Sequence, residues 1–274
     1  MSRLPVRLAT YLAAGVLALF CAGPFVWMLL TSLKPDAEIF SRPPVLWPAQ
    51  PVFDRYGEVL RSGFGRALAN SAVVAVSTTA AGLVLAALAG YALARFRMPL
   101  RRWLLILVLS VQMFPAVVLV VPLFVVMRRL GLLDSHAGLV LAYLSFTLPL
   151  AIWILKGFID GIPAELEEAA MIDGATRVGA MRRVVLPLAA PGLAATAIFS
   201  FIAAWNEFLF ALTFVKDEGM RTLPVALQTF VGQSQTDWGL IMAASVFYTA
   251  PVVVFFLALH RRLVEGMVAG ALRG

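Results

Sequence analysis

Cysteine, histidine and charge are all scarce in this chain of 274 residues, and each scarcity closes a class of chemistry. The single cysteine, Cys21, lies inside an apolar run, so the chain forms no internal disulfide and builds no metal site on a cysteine cluster. The only histidines, His136 and His260, flank apolar runs far apart in sequence, which leaves no Ser/His/Asp constellation and little scope for imidazole ligation. Charged residues amount to 14%, with 15 Asp and Glu against 22 Lys and Arg; a soluble domain carries about 25%. No stretch reads G-x-x-x-x-G-K-[ST], so no loop cradles nucleotide phosphates. The one acidic cluster, Glu165 to Asp173, lacks D-x-x-D spacing or a nearby histidine, which argues against a membrane-embedded metal enzyme.

What the chain has instead is apolar length. Hydrophobic residues make up 61% and the mean hydropathy is +0.91. The expected class is therefore an all-α integral membrane protein, since period-2 alternation, the mark of a membrane barrel, is absent. Six weakly charged runs are long enough to cross about 30 Å of hydrocarbon at 1.5 Å per residue. They predict transmembrane helices over residues 11–30, 69–93, 103–127, 137–155, 188–215 and 238–259, an outside loop 33–68 and a cytoplasmic loop 156–187, all in one transmembrane domain 1–274. The first run is too long for a signal-peptide core and no A-x-A-like site follows, so it reads as a retained span.

The net charge of +7 reads as a topology signal, with no nucleic-acid partner expected, because the basic residues sit at the edges of the apolar runs. The short segment with Arg95, Arg97, Arg101 and Arg102 is the strongest vote for a cytoplasmic side, and it puts both termini in the cytoplasm. Arg128 and Arg129 run against that bias. Trp27, Trp103, Trp153 and Trp238 fall near span ends, as an aromatic belt does. The outside loop holds Pro35, Pro43, Pro44, Pro48 and Pro51, which forbid a continuous helix, although 54–60 suits a short interfacial one. A passive connector and a contact for an external partner are both open readings of it. In the second span Gly82, Ala86, Gly90 and Ala94 share one face and let another helix approach closely. In the third, Pro115 and Pro122 predict kinks.

The stretch Glu165 to Gly192 is a long polar interruption between two apolar runs. Pro163 suits a helix start, and Glu165, Glu167 and Glu168 suit the positive end of the helix dipole. Gly174 supplies a residue able to take positive φ, Thr176 caps a second short helix, and Pro187 breaks it before the fifth span. The expectation is helix, glycine corner, helix. A lipid-surface helix is the competing reading, but three acids in the first turns suit an anionic cytoplasmic leaflet poorly.

These residues carry a resemblance. EAAMIDGA (Glu168–Ala175), followed by Leu186–Pro187 and Pro191, resembles the EAA loop of permease subunits in bacterial ABC importers. SLKP (Ser32–Pro35), NS (Asn70–Ser71), YALARF (Tyr91–Phe96), MFP (Met113–Pro115), WNEF (Trp205–Phe208) and the ending LVEGMVAGALRG are similar to the carbohydrate-type, maltose-transporter class of that group. Met181 stands where the class often has an aromatic residue, and Arg273-Gly274 where it often ends in Lys-Gly. The resemblance implies a type I ABC importer permease fold. It makes Glu168, Ala169, Ala170, Asp173, Gly174, Ala175 and Pro187 a coupling helix and corner seated on a separate ATPase. It also implies a second, non-identical permease subunit, an ATPase dimer, an extracytoplasmic solute-binding protein and a sugar-like solute. ATP and Mg would be bound by the ATPase, with no cofactor on this chain and no catalysis by it, in a bacterial inner membrane.

Within the spans, Glu207 is the one ionisable residue well away from an edge, and with Trp205 and Asn206 it is the candidate translocation path. A structural contact to a second subunit is the plainer reading of the same three residues. A stand-alone proton-coupled carrier using Glu207 is the alternative function, disfavoured by the scarcity of intramembrane acids and histidines.

Overall fold

The computed structural model describes residues 4–231 and 236–271, with side chains over 7–231 and 236–262. Among the described residues all regular structure is helical. Helix α1 (Leu4–Ser32) is followed by two short helices, α2 (Asp36–Ile39) and α3 (Asp54–Val59), in the proline-rich segment. A π-helical turn, Leu60–Phe64, leads into α4 (Gly65–Arg95). Then come α5 (Arg101–Ser110), α6 (Ala116–Arg129) and α7 (His136–Asp160). The polar stretch forms α8 (Ala164–Ile172) and α9 (Arg177–Ala180), and a π-helical turn, Met181–Val185, continues into α10 (Leu186–Leu188). α11 (Ala190–Trp205), α12 (Leu209–Phe214), α13 (Leu223–Gln228) and α14 (Trp238–Ala271) complete the chain.

Four helical segments are long and apolar enough to cross a membrane, 7–32, 54–95, 136–160 and 238–262, the second with a kink at Gly63, which takes φ 87°. They contain the first, second, fourth and sixth apolar runs, 11–30, 69–93, 137–155 and 238–259. The third and fifth differ. The third is broken between Met113 and Ala116, and its two arms meet at 101°. Pro115 occupies the N-cap of α6, where its missing amide and restricted φ end the preceding turn, whereas Pro122 sits inside α6 without breaking it. The fifth is not one helix over 188–215. α11 has 16 residues, about 24 Å of rise and short of a full crossing. The chain then opens at 206–208 before α12 resumes. Pro187 does not end the preceding helix either. It stands in the first positions of α10, where no amide is needed, and the bend falls at Ala189, with 76° between 177–188 and 190–205.

The chain divides into two compact units, Met1–Gly65 with Leu227–Ala250 and Arg66–Ala226 with Pro251–Gly274. In the first, α1 presents apolar side chains outward between Leu8 and Leu29, such as Leu12, Leu19 and Phe20, as a lipid-facing helix does. The segment after it is tied down by Arg55, whose guanidinium is buried, pairs with Asp36 and donates to the carbonyl of Lys34. The Ser32 and Tyr56 hydroxyls share a 2.6 Å hydrogen bond. The Lys34 ammonium sits 3.8 Å from the centroid of the Trp27 ring.

In the second unit α7 is the hub. The small face of α4 lies on it: a Cβ on Gly90 would meet the Lys156 amide at 3.1 Å, and Ala86 is fully buried with Ala151 and Leu155. The stripe read from the sequence is thus a packing surface, where dispersion between close backbones holds helices that gain no hydrophobic drive in lipid. α11 approaches α7 from another side, closely enough that a Cβ on Gly192 would come within 2.5 Å of the Phe158 ring.

Candidate functional site

The polar stretch folds as its local signals require. α8 starts after Pro163 and ends at Asp173. Gly174 takes φ 90°, a conformation that a side chain strains, and the chain reverses there. The Thr176 side chain then accepts the Gly179 amide at 3.1 Å and caps α9. Glu168, Ala169, Asp173 and Gly174 are exposed, with Ala170 and Ala175 half-buried beside them. Pro187 is exposed but stands in α10, after the π-helical turn and away from the glycine corner. Alongside the expected residues the corner displays apolar side chains: Ile172 is 86% exposed, and Val178 and Leu166 are also largely uncovered. The corner thus sets exposed acids beside bare aliphatic side chains.

One acid of the row does not face outward. Glu167 is 3% exposed and turned into the unit. Its Oε2 accepts from Arg95 Nε at 2.9 Å, and its Oε1 accepts from the Tyr91 hydroxyl. Arg95 also donates Nη2 to the Ile162 carbonyl at 2.9 Å, in the turn that enters α8. Both charges are buried, so removing either partner would leave the other uncompensated at a cost of about 3–5 kcal/mol. Tyr91 packs with Ile159 at the end of α7 and with Met181, Val185 and Ala189 in the turns that follow α9. Met181, the position where the resembled class is often aromatic, fills this cluster. Arg177 of α9 lies over the Phe96 ring, 5.1 Å from its centroid. Sequence reasoning passed over Glu167 and Arg95 because their pairing spans 72 residues. The available signal was YALARF, an arginine at the very end of an apolar helix on the side of the acidic loop.

Trp205, Asn206 and Glu207 come together at the break between α11 and α12, but in unlike roles. Trp205 is 1% exposed and stacked on Phe201, 5.4 Å between centroids. That buried ring is core, so it does not offer an aromatic face to a solute in this arrangement. Asn206 is exposed and donates Nδ2 back to the Ile202 carbonyl at 2.9 Å, closing the end of α11. The Glu207 carboxylate accepts the Phe210 amide at 2.9 Å and the Ala211 amide at 3.1 Å, satisfying the open amides of α12. Its two oxygens serve as a helix cap, which gives the proton-carrier reading no support. The buried Tyr143 hydroxyl faces this carboxylate.

At the far end of α4 a second set of polar residues ties loops together. Asn70 donates Nδ2 to the carbonyls of Gly219 and Arg221, both at 2.9 Å, and His136 Nε2 lies 3.2 Å from its Oδ1. The Leu223 amide donates to the Ser71 hydroxyl at 2.7 Å. Asp134 accepts the amides of Asp217 and Lys216 through one oxygen, which holds its carboxyl below the ordinary carboxylate range. The NS motif of the sequence is therefore a loop anchor. Arg273 and Gly274 lie outside the described residues, as do the side chains of the tail from Leu263. Among the described residues no group of three or more His, Cys, Asp and Glu is placed to hold a metal ion.

Residues 60–268 match the family described as binding-protein-dependent transport system inner membrane component. The chain is 40% identical to the sulfoquinovosyl glycerol transport system permease protein SmoH of Agrobacterium fabrum, over 96% of this chain and 93% of that one. It is 42% identical to the trehalose transport system permease protein SugB of Mycobacterium tuberculosis, over 98% and 99%. In fold it is similar to a chain of a bacterial ABC transporter involved in the import of the acidic polysaccharide alginate, with a TM-score of 0.80 and 24% identity over 94% of this chain and 96% of that chain. These matches cover nearly the full length of both partners and the corner, the broken spans and the loop anchors all fall within them: the chain belongs to the family of inner-membrane components of binding-protein-dependent transport systems.

Proposed function

We propose that this chain is one of two transmembrane subunits of an ATP-driven, binding-protein-dependent importer of a sugar or sugar-like solute. The observation that carries the reading is the helix corner 164–180, which presents Glu168, Ala169, Ala170, Asp173, Gly174 and Ala175 on an exposed surface while its base is locked to α4. That surface fits the cleft of an ATPase subunit, which binds ATP and Mg and hydrolyses ATP while this chain does not. Both termini and the corner then lie in the cytoplasm, with the loop of Asn70, Asp134 and Arg221 on the outer side, where an external solute-binding protein delivers cargo. The sugar class follows the relatives, whose names specify trehalose and sulfoquinovosyl glycerol.

The breaks at 111–115 and 206–208 support a lined path and a second, non-identical permease subunit. Irregular backbone at membrane depth is tolerated where protein covers it or where it lines a water-filled cavity. Met113 is 84% exposed and Phe114 59%, so the first break awaits such a cover. Asn206 is the exposed member of the second break and the one placed to meet a hydrated solute. The test is uptake of radiolabelled trehalose and a glycosyl glycerol into proteoliposomes holding the assembled transporter, external binding protein included. Gly174→Val and Glu168→Arg each abolish ATP-driven uptake while the chain still inserts; undiminished uptake in both variants contradicts the coupling assignment.

A further inference from the structure

We infer that Arg95 is a positioning residue that makes the coupling corner and α4 move as one body, so that α4 is the span through which ATPase motion enters the membrane. This rests on the reading of the corner as the docking element. By chain connection alone the corner belongs to α7 and α10, which precede and follow it. The side chains tell otherwise. Arg95 grips α8 at the Glu167 carboxylate and the turn that enters it at the Ile162 carbonyl, each at 2.9 Å. Tyr91, one turn earlier on α4, holds the other Glu167 oxygen. One bond to α8 would leave it free to pivot about Glu167. Bonds to both the helix and its entry turn, made by a planar guanidinium with fixed donor geometry, resist rotation as well as sliding. Phe96 adds a contact to α9 through Arg177, so both helices of the corner are held.

The attachment is also dry. The side chains of Arg95 and Glu167 are 10% and 4% exposed, so neither is screened or easily exchanged for water. By contrast Asp160, which pairs with Arg101 and Lys156 at the end of α7, keeps its side chain 39% exposed, and these pairs hold no part of α8. The stiff connection therefore runs to α4, whose Gly82 and Gly90 face is in turn packed on α7.

The experiment places nitroxide labels at Val84 and Glu165, both exposed, in a background with Cys21→Ser. Val84 lies 11 residues before Arg95, about 16 Å along α4. In the assembled transporter the wild-type pair gives a single narrow distance, the same without nucleotide and with ATP bound. Arg95→Gln broadens or splits it, and uptake of labelled trehalose or glycosyl glycerol per ATP hydrolysed falls roughly tenfold, the order of change that residues linking two sites carry. Arg95→Lys, which keeps the charge and loses the fork, lies between. Tyr91→Phe, which removes one bond and no charge, broadens the distance less than Arg95→Gln and serves if that variant fails to fold. A distance that shifts with ATP in the wild type, or stays narrow in both Arg95→Gln and Tyr91→Phe, overturns the inference. If no ATPase co-purifies with the wild-type chain, the docking reading fails instead, and the same labels on the chain alone in nanodiscs still report whether Arg95 fixes α8 to α4.

Discussion

Asn70, near the start of α4, donates to the backbone carbonyl of Arg221 across 151 residues of sequence. A second bond from the same amide nitrogen reaches Gly219. One side chain thus satisfies two carbonyls of a loop that has no ladder of its own. Asn70→Leu leaves both unpaired and lowers stability by about 1–3 kcal/mol. Thermal unfolding in detergent checks the magnitude, and faster proteolysis within 215–222 checks that the loss is local.

Asp134 clamps the same loop through the amides of Asp217 and Lys216. Those two donors, Asp217 first, hold its folded-state pKa below the ordinary value. The clamp therefore contributes above the unfolded-state pKa and is lost as pH falls through the lower, folded-state value. Protection of 215–221 from protease holds at neutral pH and drops at acid pH, and Asp134→Asn flattens that dependence.

Glu207 separates two functions by a single substitution. As the cap of α12 it needs acceptors and not a titrating proton. Glu207→Gln keeps a carbonyl oxygen for the Phe210 or Ala211 amide and retains most uptake. Glu207→Leu removes the acceptors and destabilises by about 1.5–3 kcal/mol, the range for hydrogen bonds to a charged group. Uptake and thermal unfolding of the two variants distinguish this from a proton carrier, in which Glu207→Gln alone is dead.

Gly192 lies where α11 meets Phe158 of α7, with a Cβ there closing to 2.7 Å from the Phe158 Cβ. Gly192→Ala forces the helices apart at about 1–3 kcal/mol, the usual cost of overpacking. The double variant Gly192→Ala with Phe158→Ala recovers part of that loss in thermal unfolding, because the clash is with that one ring.

Much of this architecture was legible because its signals are local. α1, α4, α7 and α14 are apolar runs bounded by charge or polar caps, and the corner at Gly174 is written in Pro163, Gly174 and Thr176 within 14 residues. In the third span Pro115 marks the place of the break but not the size of its bend, and the fifth reads as one helix over 188–215 because Glu207 looks like a charge in a helix rather than the start of the next one. Trp205 is grouped with Asn206 and Glu207 because the three are adjacent in sequence, and nothing local marks its burial against Phe201. The hold of Arg95 on Glu167 depends on two helices meeting far apart in sequence, which no local pattern encodes.

Docking of an ATPase on the corner is tested by photocrosslinking from position 172. Ile172 is the most exposed apolar residue of the corner, 86% uncovered. A photoreactive amino acid replacing it in native membranes is predicted to capture one polypeptide whose sequence, read by mass spectrometry, carries G-x-x-x-x-G-K-[ST], with capture abolished by Gly174→Val. Crosslinks to lipid alone, or to proteins without that motif, contradict the account.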